Sequence, residues 1–159
     1  MRAIAVLSLV VAIFALIISI VAVATPGWLD DGRGVFLSCN GTLSIQTCSN
    51  VLGDDKMSFV TSILLLIGIV SIVCGLIFFI VFMKHNKKNF GLSASVIYAI
   101  AVAGMVVGGA VFTVGYINQT TVQGGVTNFG YSYYLAWGSA ALCIIASVTS
   151  CIDSLKGSA

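Results

Sequence analysis

The chain contains no glutamate, a single histidine, a single proline and few charges of either sign, with seven Lys or Arg and five Asp in 159 residues. Each scarcity excludes something. Without Glu, the carboxylate pairs that divide acid and base roles would have to come from Asp alone, and no Ser, Cys or Asp stands near a plausible base. His85 lies among lysines in a polar connection and reads as a solvated loop residue. A metal site fails for the same reason: the five cysteines show no C-x-x-C spacing and there is no second histidine. No catalytic residue, metal or cofactor is therefore expected, and the scattered bases suggest no nucleic-acid partner.

Only 8% of residues are charged, against about 25% in soluble domains. What replaces charge is apolar: 59% of residues are hydrophobic and mean hydropathy is +1.13. Four runs, near 3–24, 57–83, 92–117 and 130–152, each reach the ~20 residues that cross a bilayer as a helix, and none has a charged side chain in its interior. Met1-Arg2 and the small residues Ala22-Val23-Ala24 give the first run some likeness to a signal peptide. Its length exceeds an ordinary signal core of about 7–15 residues, so an uncleaved span is favoured.

The charges then assign sides. Lys84, Lys87 and Lys88 fill the link near 84–91, and Arg2 and Lys156 lie at the two ends. The loops near 25–56 and 118–129 carry Arg33 and Lys56 against Asp30, Asp31, Asp54 and Asp55. The positive-inside rule predicts cytoplasmic termini and two extracellular loops. Two N-x-[ST] sequons, at Asn40 and Asn118, fall on the predicted outer side and are glycosylation candidates, Asn118 less so because it is close to the membrane.

On that side an oxidising compartment makes a Cys39–Cys48 disulfide the default, since Cys74, Cys143 and Cys151 fall in or at the edge of spans. The flanking segments, 33–38 and 43–47, read as strands of a hairpin. Asn40-Gly41 is a strong two-residue turn signal, but a turn there would set Cys39 opposite Thr42. Cysteines about 5.5 Å apart require the reversal to centre near Leu43-Ser44. The disulfide is preferred over the turn signal, and Asn40 then occupies a looser loop.

Trp28 just after the first run, followed by Gly34-Val35-Phe36-Leu37-Ser38-Cys39 and Cys48, resembles the signature of the claudin, peripheral myelin and epithelial membrane protein superfamily. Val35 and Phe36 stand where that family prefers Leu and Trp. The fourth run opens Phe129-Gly130-Tyr131-Ser132-Tyr133-Tyr134-Leu135-Ala136-Trp137, similar to the Gly, aromatic, Leu-x-Trp opening of the family's last span, and Lys56 matches a basic residue before its second. The resemblance covers the whole chain. It implies an all-α membrane protein, a four-transmembrane-helix bundle with a small extracellular antiparallel β-sheet from the first loop. It also implies a non-enzymatic role at the plasma membrane, in cell–cell contacts or an epithelial barrier, with copies associating in cis and trans. Two departures from claudins matter. Trp28 and Gly34 are six apart, which trims the first hairpin and brings the loop closer to the peripheral myelin branch. The tail 154–159 lacks a Tyr-Val ending for scaffold docking. The other role open to such a protein is as an auxiliary subunit of an ion channel or receptor.

Further residues have two readings each. Gly104 and Gly108 form a GxxxG element, and Ser95, Ala99 and Ala103 recur every four residues. They serve packing within the bundle or a face for another helix, the former preferred. The Asp30-Asp31 and Asp54-Asp55 pairs either gather cations or are solvated ends, the latter preferred. Cys151 at the inner end of the fourth span is a palmitoylation candidate. Lys84, Lys87 and Lys88 could hold anionic membrane lipid, although setting topology suffices to explain them. Trp28, Tyr131, Tyr133, Tyr134 and Trp137 gather at the outer boundary, where amphipathic rings anchor spans. A transporter is disfavoured because no intramembrane charge marks a path.

Overall fold

The computed structural model describes residues 3–29, 34–40, 47–50, 56–85, 88–123 and 128–156. It has four helices, α1 (Ala3–Ala24), α2 (Lys56–His85), α3 (Lys88–Gln123) and α4 (Tyr131–Lys156), and two strands, β1 (Leu37–Asn40) and β2 (Thr47–Asn50). Each helix contains a stretch long and apolar enough to cross a membrane.

Local chemistry explains the helix ends. α1 contains neither Gly nor Pro and stops two residues before Pro26, which can neither donate a helical hydrogen bond nor continue the helix. α2 ends on Lys84 and His85, and the Lys84 cation suits the negative end of its dipole. α3 departs from the expected 92–117. It begins four residues earlier, at Lys88, and runs on to Gln123, so Asn118 lies on a helix and not in a loop. Hydropathy marks where a membrane span ends, whereas a helix ends where its backbone is interrupted. Here nothing interrupts it before the Gly124-Gly125 pair in the sequence. Residues 86–87, between α2 and α3, lie outside the described residues.

The helices pack in the ring order α1–α4–α3–α2, with α1 and α2 meeting least. Along α1 a buried row runs through Ala5, Ser8, Ala12, Ala15, Ser19 and Ala22, with Val23 buried beside it, and along α4 a row runs through Ser132, Ala136, Ser139, Cys143, Ala146, Ser150 and Asp153, with Ala140 and Ser154 buried beside it. Both rows step by three and four residues, the 3.5-residue period of left-handed helix packing. On α1 the large side chains Phe14 and Ile17 point the other way and are exposed, while α2 and α3 bury Ile72, Phe79 and Tyr98 and expose Val70, Ile77 and Val96. The small-residue rows suit a bilayer, where lipid accepts large apolar groups and small residues let helices approach.

α2 and α3 approach through glycine. A β-carbon on Gly104 would lie 3.1 Å from the Leu64 carbonyl oxygen and 3.4 Å from the Gly68 nitrogen, and one on Gly108 would press on Leu64 and Leu65. The GxxxG element is thus used inside the bundle. Ala99 and Ala103 instead face outward, while Ser95 bonds Ser147 of α4.

α4 also ends later than expected, at Lys156 instead of 152, and this brings in Asp153, which is 2% exposed. Asp153 lies one residue past the expected 130–152 run, near the end of α4. Asp153 continues the inward row of α4 one step beyond Ser150.

Candidate functional site at the hairpin end

The strands pair antiparallel with Leu37 opposite Asn50, Ser38 opposite Ser49, Cys39 opposite Cys48 and Asn40 opposite Thr47. The chain therefore reverses between residues 40 and 47, and the pairing of Asn40 with Thr47 excludes a turn that would set Cys39 opposite Thr42; Leu43-Ser44, the expected centre, lies outside the described residues. The glycosylation candidate Asn40 ends β1. Asp30, Asp31, Arg33, Asp54 and Asp55 lie outside the described residues.

The hairpin emerges from the end of the bundle formed by the last turn of α1 and the first turns of α2 and α4. Gly34 and Val35 are buried, and Phe36 packs partly buried on the core. The Ser62 hydroxyl of α2 donates to the Ser58 carbonyl of its own helix at 2.7 Å and lies 3.3 Å from the Val35 carbonyl, which packs the approach to β1 against the bundle.

Trp28 is fully buried, and its indole N–H donates to the Ala22 carbonyl at 2.7 Å. The last carbonyls of a helix have no partner within it, and an indole has one donor and a broad apolar surface, so one side chain both caps α1 and fills the space above it. Its ring meets Phe112 edge-on at 5.0 Å and Tyr133 at 6.1 Å. Phe129 stacks on Tyr133 at 4.4 Å, and the Tyr133 hydroxyl shares a 2.9 Å hydrogen bond with Thr113. Tyr133 is therefore an interior strut. Tyr131 and Tyr134 are exposed, and Trp137 lies half-exposed over Gly109, as boundary anchors would be.

The chain leaving α1 and the chain entering α4 form one interlocked piece. Gly130 N–H donates to the Trp28 carbonyl and Ser132 N–H to the Gly27 carbonyl, both at 2.9 Å, Leu29 bridges Phe129, and the Thr25 and Ser132 hydroxyls lie 2.6 Å apart. These bonds satisfy donors at the start of α4 that have no partner within the helix. At Gly130 a side chain would drive into the Gly27 backbone, so the contact requires glycine. Sequence reasoning found Trp28 and Gly130 but missed Ser62, Phe112 and Thr113. Their spacing carries no motif, and only the fold brings them to this end.

Elsewhere, Cys74, Cys143 and Cys151 are free thiols, Cys151 half-buried. Lys84 and His85 are exposed. Among the described residues no three His, Cys or Asp side chains converge as metal ligands would. An interior cavity between Ser19, Leu65, Met105 and Ser139 encloses about 10 Å³, room for one water. Among the described residues three buried polar atoms have no hydrogen-bond partner: Thr61 Oγ1, the Tyr98 hydroxyl and Asp153 Oδ2.

Comparison with family models and with curated proteins returns no match for this chain.

Proposed function

We propose that the protein is a claudin-like, non-enzymatic membrane protein that organises cell–cell contacts or an epithelial barrier by associating with itself in cis and trans. The observation that carries this reading is the register of the hairpin, which sets Cys39 opposite Cys48 above a bundle end closed by Trp28. A disulfide across that pair would brace two four-residue strands that are otherwise too short to persist alone. The bundle then acts as a rigid membrane anchor presenting the hairpin, and contact between hairpins of apposed copies does the work without a chemical step. In this reading the hairpin is extracellular, both termini and the lysine-rich link are cytoplasmic, and the protein resides at the plasma membrane.

The alternative is an auxiliary subunit of a channel or receptor. Docking of a partner helix through Gly104 and Gly108 loses its basis, because both glycines are packed against α2. An auxiliary role would have to use the hairpin or the outward faces of the helices.

The test is freeze-fracture imaging of adhesion-deficient cells expressing the parent or a Cys39→Ser/Cys48→Ser variant. Continuous strands at contacts for the parent and not for the variant are expected. An even scatter of particles for both would overturn the junction-forming reading and favour the search for a channel or receptor partner.

A further inference from the structure

Two pairs of hydroxyls join α1 to α4 directly. Ser8, near the start of α1, shares a 2.8 Å hydrogen bond with Ser150, and Thr25, just past the end of α1, shares one of 2.6 Å with Ser132, in the first turn of α4. The two helices therefore run antiparallel, and a step forward on α1 meets a step back on α4. Eleven residues make about three turns and return to the same face. Eleven on from Ser8 is Ser19, and eleven back from Ser150 is Ser139, so these two serines form a layer between the bonded pairs. They are 2% and 1% exposed and lie within the apolar stretches Ile4–Ala24 and Tyr131–Leu155.

This third pair is bonded differently. The Ser19 hydroxyl donates to the Ala15 carbonyl at 2.6 Å, and that of Ser139 to the Ala136 carbonyl at 2.8 Å, with Met105 Sδ 3.3 Å away. A hydroxyl has one proton and two lone pairs, so each serine keeps the capacity to accept and has no proton left to give. Both line the cavity of about 10 Å³, whose other walls include Ala22, Leu65, Met105 and Ala136. Such a site takes a ligand of one heavy atom that donates twice. An apolar gas has nothing to donate, and an ammonium ion would lack a counter-charge, since Asp153 is fourteen residues further along α4. An apolar cavity of this size stays dry, whereas one with two polar partners holds water.

We propose that this cavity is the binding site of one structural water, which donates to Ser19 Oγ and to Ser139 Oγ and so forms the third polar rung between α1 and α4. A water bridge is nearly as favourable as a direct hydrogen bond, and here it serves lone pairs that would otherwise meet only hydrocarbon. α1 and α2, which meet least, both contribute walls, so the seam between them is the way in. The site is independent of the hairpin and of any part it plays in cell contacts.

Water-selective NMR of the full chain in detergent micelles, deuterated except at the alanine methyl groups, tests this. Cross-peaks from water to the Ala22 and Ala136 methyls are expected, with the sign of a water that tumbles with the protein. None is expected at Ala12 or Ala146, which are buried beside the directly bonded Ser8 and so control for signal relayed through hydroxyl protons. In Ser19→Ala/Ser139→Ala the cavity becomes apolar and both cross-peaks should vanish. In thermal unfolding each single change should lower the melting temperature, and the double change should lower it by less than the two shifts added, because either one alone breaks the bridge. Absence of the Ala22 and Ala136 cross-peaks in the parent, their survival in the double variant, equal cross-peaks at Ala12 and Ala146, or strictly additive shifts would each overturn the proposal.

Discussion

Trp28 closes the helix that precedes it: its indole nitrogen lies 2.7 Å from the carbonyl oxygen of Ala22, six residues back, and its ring is wedged between Phe112 and Tyr133. The polar and apolar parts of this contact can be separated. Trp28→Phe keeps an aromatic ring but leaves the carbonyl unpaired, and should cost about 1–3 kcal/mol. Trp28→Ala also empties the space between the rings and should cost about 3–5 kcal/mol. Thermal unfolding in mild detergent, followed by circular dichroism, should place the Phe variant between the parent and Ala. Equal melting of Phe and parent would remove the capping role.

The two glycines Gly104 and Gly138 make an internal control. Gly104→Ala places its methyl 3.1 Å from a backbone oxygen of α2 that cannot swing aside, so α2 and α3 must separate. Destabilisation of about 1–3 kcal/mol is expected, as for overpacking generally. Gly138 has nothing within 4 Å of the same added methyl. Gly138→Ala should be neutral or slightly stabilising, since alanine is the better helix former by up to about 1 kcal/mol. Unfolding in increasing denaturing detergent separates the pair. Equal tolerance of both changes would mean that the α2–α3 approach is not set by Gly104.

If the backbone register of Cys39 and Cys48 reflects a covalent bond, alkylation of the protein from a secretory host, denatured without reductant, should label Cys74, Cys143 and Cys151 only. Reduction should expose the other two and, for so short a closed loop, lower stability by about 2–3 kcal/mol. Labelling of Cys39 and Cys48 before reduction would remove the disulfide.

Hydroxyl pairs stitch α4 to both neighbours: Ser150 to Ser8 of α1 at 2.8 Å, and Ser147 to Ser95 of α3, whose backbone carbonyl also accepts from Ser147. A double-mutant cycle on Ser8→Ala and Ser150→Ala should give a coupling near 0.6 kcal/mol and no more than about 2, the range of interhelical hydrogen bonds in membranes. Coupling indistinguishable from zero in thermal unfolding would mean that the pair contributes only by its small size.

How far these features were legible from sequence depends on the physics behind each. The four long apolar helices were readable because desolvation demands a minimum apolar length, and the pairing of Cys39 with Cys48 was readable because a disulfide between them admits one register. The continuation of α3 to Gln123 was not readable from hydropathy, because Asn118 and Gln119 end the apolar run without ending the helix. The role of Gly104 and Gly108 was left between two options, since GxxxG says that a backbone approaches but not whose. The small-residue rows on α1 and α4 were hidden by composition: Ala, Ser, Leu and Ile all count as acceptable in a span, and only their three-and-four stepping separates the inward row from the outward one.

Asp153 is where that stepping has the largest consequence. It follows Ser150 in the inward row of α4, is 2% exposed, and its Oδ2 has no hydrogen-bond partner. A charge in such a place costs free energy unless a partner repays it, and intramembrane charges are usually kept for a purpose. The two possibilities predict opposite signs. If the carboxylate is unpaired in the working protein, Asp153→Asn keeps the shape, removes the charge and should raise the melting temperature. If a cation from the same end of the bundle completes the site, the same change strands that cation and should lower it. The structure, with no partner at Oδ2, predicts the rise. A fall in melting temperature would overturn it and direct attention to Arg2, which precedes α1 by one residue and is the basic residue nearest in sequence to Ser8, the partner of Ser150.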